Sequence, residues 1–147
     1  ALTTADAALA GAAAGKLFAE LHALARSRGA RPETFAGLAG TGAVVTSVLA
    51  EATSGAGAGA LLARGVPAAE IEGALGHGSD ALAAVPMLAA AAREARVDTS
   101  ALDALAALVD GRITAEQWAA TVTRARPPRE RRRSGSPDGI RTASGRG

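Results

Sequence analysis

Apolar positions recur every three to four residues through most of this chain, in short bursts cut apart by glycine and proline. Over residues 5–28, Leu17, Leu21 and Leu24 share one side, with Ala14, Phe18 and Ala25 beside them, which is the period of a helix that buries one face. Gly29 ends that pattern. Pro32 suits a first helical position, so "PETFAGL" predicts a short helix that breaks at its glycines. "AVVTSVLAEA" continues as a helix, with a strand as the weaker alternative because Val44, Val45 and Val48 are β-branched. "GAGAGALLARG" reads as a glycine loop that becomes one helical turn before Gly65.

Pro67 opens a short helix closed by Gly76, "HGSD" is a loop, and "PMLAAAAREAR" is helical with Pro86 in or near its first turn. Ser100 with Asp103, and Thr114 with Gln117, have the spacing of capping boxes before the last two apolar runs. No pair of alternating runs predicts a hairpin, and no fixed-period repeat is present. The expectation is therefore an all-α fold: a single helical domain of about six helices with glycine-rich connections, over residues 1–123.

Composition narrows this picture. At 147 residues the chain holds one core, and although 48% of it is apolar, only 2% is aromatic, with Phe18, Phe35 and Trp118 the only large rings. A core of Ala, Leu and Val buries less area per residue than an aromatic one, so modest stability is expected. The absence of cysteine removes disulfides, thiolate nucleophiles and zinc–thiolate sites, and fits a reducing cytoplasm. No apolar run reaches the ~18 residues of a membrane span. The single lysine against fifteen arginines, with abundant Ala and Gly, points to GC-rich coding DNA and a bacterial source.

The charge is segregated. Residues 124–147 carry eight arginines against Glu130 and Asp138, while residues 1–123 carry eight basic against twelve acidic residues. The basic tail lacks apolar periodicity and is rich in Arg, Ser, Gly and Pro, the composition of a disordered segment. It could neutralise nucleic-acid phosphates, but no aromatic residue interleaves with its arginines, and short basic tails are mostly solvated ends.

Candidate chemistry is sparse. "SGAGAGA" (residues 54–60) has glycine spacing similar to a dinucleotide-binding turn, yet a helix-like segment precedes it where a buried strand is required, so a flexible Ala/Gly connection is the better reading. His22 sits one step off the leucine stripe as a boundary residue, and the only carboxylate near it in sequence is Glu20. His77, in a glycine loop, has no recognisable nucleophile to serve. Met87 and Trp118 read as core. Two histidines make no metal site, and no catalytic residue is assigned.

One stretch carries a resemblance. "ARPETFAGLAGTGAVV" (residues 30–45) resembles the signature region of the C-terminal, substrate-binding domain of bacterial NAD(P)-dependent glycerol-3-phosphate dehydrogenases, where Pro-Glu-Thr-Phe leads into Gly-Leu-Ala-Gly-x-Gly-Asp-Leu. The first helix, "GKLFAELHALARSRGARPETF", is similar to the family's in length and in its Ala19-Glu20 step. "LLARG" falls on the family's Leu-Gly-x-Gly turn, and "VDTSALDALAALVDGRITAEQ" follows its last helix pair. The likeness runs over residues 8–123. It implies a helical domain of the 6-phosphogluconate dehydrogenase C-terminal-like fold which, behind a nucleotide-binding domain, helps interconvert sn-glycerol 3-phosphate and dihydroxyacetone phosphate with NAD(P) and without metal.

The sequence departs from that family where chemistry is expected. The aspartate after Gly42 is Ala43, and the substrate-contacting Ser-Arg-Asn falls on Thr53, Ser54 and Gly55, which leaves Thr53 as the substrate-binding candidate. The Val-x-Glu near the cofactor falls on Gly78, Ser79 and Asp80, which leaves Asp80 as the cofactor-binding candidate. The first-helix arginine is Lys16, which keeps charge without a bidentate fork. Losing a phosphate-holding arginine costs on the order of 1.5–3 kcal/mol of charge-assisted hydrogen bonding. The family's catalytic lysine would lie just ahead of Ala1, with the nucleotide-binding domain, so this chain by itself is expected to be inactive. The alternative is a non-catalytic helical module that binds a partner or forms a homodimer through apolar surface the nucleotide-binding domain would otherwise cover.

Overall fold

The computed structural model describes residues 7–37, 40–42, 54–75 and 80–124. Seven helices run through them: α1 (Ala7–Ser27), α2 (Pro32–Ala36), α3 (Ser54–Ala63), α4 (Ala68–Leu75), α5 (Asp80–Glu94), α6 (Ser100–Val109) and α7 (Ala115–Arg124). No strand occurs among the described residues. The all-α expectation holds. The segment 43–53, His77 and the basic tail from residue 125 lie outside the described residues.

The long first helix is present almost as its apolar period predicts. Four helices end alike: the amides of Ala30, Val66, Val97 and Arg112 each donate five residues back, to Ala25, Leu61, Ala92 and Ala107, at 2.8–3.0 Å. That ending needs a left-handed residue just before the donor, which glycine adopts without a Cβ clash. Gly29, Gly65 and Gly111 supply it with φ of 87°, 81° and 69°; at the end of α5 the position is Arg96, with φ 54°.

Three sequence expectations are corrected. The glycine run at 55–59 is not a loop: it lies inside α3, whose ten residues bury Ala58 and Leu62 against Ile71 of α4. Glycine lowers helix propensity by about 1 kcal/mol relative to alanine, and tertiary packing overrides that here. Helix α5 begins at Asp80, so Pro86 stands in its interior rather than its first turn and removes the bond its amide would donate one turn back. Met87 is not core. It is 72% exposed, on the side of α5 away from Ala89 and Ala92.

The core is assembled from small side chains, as the composition implies. Half of the fourteen buried apolar residues described are alanines. One cluster joins Ala13 of α1, Ala101 and Leu108 of α6, and Trp118 and Val122 of α7, and a second joins Leu24 of α1, Ala89 and Ala92 of α5, and Leu102 and Ala106 of α6. Leu17 packs against both. Helix α6 is thus the central element, with α1, α5 and α7 around it. Trp118 is core as expected, and its indole N–H donates to the Ala101 carbonyl at 3.4 Å. A smaller third cluster holds the α3–α4 corner to the rest through Leu82 and Val109.

Candidate functional site

The buried charged group among the described residues stands on the inward side of α1. Ala13, Leu17, Glu20 and Leu24 recur at intervals of four, three and four residues, so the fold carries Glu20 into the interior with the apolar side chains. Glu20 is 1% exposed. Its carboxylate meets the start of α6: Oε1 accepts from the Ala101 amide at 3.0 Å and Oε2 from the Leu102 amide at 2.8 Å, with the Ser100 hydroxyl 3.5 Å from Oε1. These are among the amides a helix leaves without an internal partner in its first turn, and the positive end of the helix dipole favours an anion there.

Lys16, one turn earlier on α1, places Nζ 3.9 Å from Glu20 Oε1 with only 10% of its side chain exposed. The carboxylate is therefore held by two backbone amides and a largely buried ammonium. A charge this deep is stable only when so compensated. The sequence offers Glu20 as a neighbour of His22 and as part of the Ala19-Glu20 step, and neither assigns it this role. The signal was present in its register: a carboxylate in phase with a leucine stripe demands a buried donor.

His22 faces another way. Its ring stacks on Phe35 of α2 at 5.3 Å between centroids and 16° between planes, and Phe18 tilts against the same ring at 5.0 Å. Nε2 is buried and has no hydrogen-bond partner among the described residues. With Glu20 committed to α6, His22 has no carboxylate to orient it among the described residues, so the geometry gives it a packing role rather than that of a base.

The glycines behind α2 are there for close approach. A Cβ on Gly37 would lie 2.5 Å from the Glu33 carbonyl oxygen, and one on Gly40 would overlap the Phe35 carbonyl. The Thr41 amide, 3.0 Å from the Gly37 carbonyl oxygen, closes the turn. Neither Gly37 nor Gly40 has room for a Cβ without a shift of the backbone.

Of the predicted site residues, Thr53 lies outside the described residues, as does Ala43. Ser54 is the first residue of α3 and Asp80 the first of α5. Among the described residues no group of three or more His, Cys, Asp or Glu could hold a metal ion, and no helix is long and apolar enough to cross a membrane. A cavity of about 650 Å³ opens elsewhere, between the α3–α4 and α6–α7 turns, lined by Leu62, Val66, Pro67, Leu108, Ile113 and Thr114 among others. Neither Lys16 nor Glu20 is among its lining residues.

Comparison with known proteins gives this arrangement a context. No solved structure matches the chain. Proteins called glycerol-3-phosphate dehydrogenase [NAD(P)+] are similar to it: that of Acidovorax ebreus (strain TPSY) is 32% identical over 113 residues, covering 77% of this chain and 34% of the relative. That of Polaromonas naphthalenivorans (strain CJ2) is 31% identical over 112 residues, covering 76% and 32%, and that of Hyphomonas neptunium (strain ATCC 15444) is 32% identical over 99 residues, covering 67% and 30%. The chain thus spans about a third of the length of the curated relatives it matches. The family model for the C-terminus of NAD-dependent glycerol-3-phosphate dehydrogenase matches residues 3–120, and the chain belongs to that family.

Proposed function

We propose that this chain is the substrate-binding part of an oxidoreductase of the glycerol-3-phosphate dehydrogenase class, cytoplasmic and bacterial, whose hydride chemistry requires a nucleotide-binding domain not contained in these 147 residues. The observation that carries the reading is the extent of the family match, residues 3–120, set against relatives of which the matched segment is only about a third, 34% in the Acidovorax ebreus protein. The unit in question is residues 1–123, with the basic segment beyond it outside the family likeness. An upstream nucleotide-binding domain is the partner that the reading requires, and a homodimer is compatible with it.

Among the described residues no glycine turn follows a strand in the way a dinucleotide site needs. A dinucleotide is cradled by a glycine turn between a strand and a helix, whereas the glycine run here is the body of α3. On the substrate side the reading leaves Thr53 as a hydroxyl donor and Lys16 as a cation, and on the cofactor side Asp80. Lys16 contributes charge near a substrate phosphate only to the extent that Glu20 does not neutralise it. Ala43 and Ser54 replace the aspartate and arginine that the resemblance implies, so phosphate affinity is expected to be low.

The test is spectrophotometric. NADH or NADPH is mixed with dihydroxyacetone phosphate and the purified chain, and no oxidation is expected. The polypeptide isolated from its source cells should in turn be heavier than these 147 residues, with a strand, a G-x-G-x-x-G turn and a lysine ahead of Ala1. Turnover by the 147 residues alone, or a native mass no greater than theirs, would overturn the proposal.

A further inference from the structure

We draw no further inference here: the strongest candidate, the outer face of α5 around the exposed Met87 and the partly exposed Leu88, is apolar and uncovered, but nothing in the structure shows what covers it.

Discussion

Helices α6 and α7 begin in opposite ways. Helix α7 is capped by its own sequence: the Gln117 amide donates to the Thr114 hydroxyl at 3.3 Å, and the Thr114 amide donates back to Gln117 Oε1 at 2.8 Å. That is the reciprocal box its spacing predicts. Helix α6 has the same need and a similar sequence, yet its N-cap is Thr99, which makes no side-chain cap bond. The Thr99 hydroxyl donates instead to Asp103 Oδ2 at 3.3 Å, and the amides of Ala101 and Leu102 are taken by Glu20, some eighty residues away. The Ser100–Asp103 box does not form. A cap from the helix's own first turn fixes that helix, whereas a cap from α1 also fixes where α1 sits.

This difference can be sharpened by substitution. The largest effect should come from Glu20→Ala, which strands two buried amides and leaves Lys16 without its carboxylate; a loss of about 3–5 kcal/mol is expected in urea unfolding. Adding Lys16→Met should recover part of it, because the largely buried ammonium that Glu20 faced is then gone as well. Thr114→Ala removes one exposed cap and should cost about 1 kcal/mol in the same measurement. If the two single substitutions cost the same, the cap from α1 has no special weight.

Smaller effects test the helix ends and the surface. Arg96→Gly, at the left-handed position that glycine fills in α1, α3 and α6, should raise stability by about 0.5–1 kcal/mol, readable as a higher thermal midpoint. A lower midpoint would mean that the Arg96 side chain outweighs its backbone strain. Arg93→Ala removes the exposed pair with Asp103, at 2.7 Å, and should change stability by about 0.5 kcal/mol or less, an effect shrinking further in 1 M salt.

What could be read from the sequence divides along the same line. Leu17, Leu21 and Leu24 announce α1, and Thr114 with Gln117 announces the start of α7, because each signal lies within a few residues of its consequence. The glycine run of α3 misled because helix formation there depends on Leu62 and Ala58 meeting Ile71, a contact made after the chain has turned at Gly65. Met87 misled because an apolar residue on a helix of alanines has no period to say which side faces inward. For Glu20 the register on the leucine stripe signals burial, but its partners are backbone amides, which every residue except proline carries, so no spacing marks where along the chain they lie. The site candidates Thr53 and Asp80 rest on the family likeness alone, and no local pattern singles them out.

A buried carboxylate on α1 joins that helix to the start of α6 through the amides of Ala101 and Leu102. Amide hydrogen exchange at Ala101 and Leu102, in the native chain and in Glu20→Gln, tests the junction most directly. Slow exchange in the native chain, faster exchange at these two amides in the variant and unchanged exchange at Thr114 and Gln117 is the predicted result. Equal protection of Ala101 and Leu102 in both proteins would contradict it.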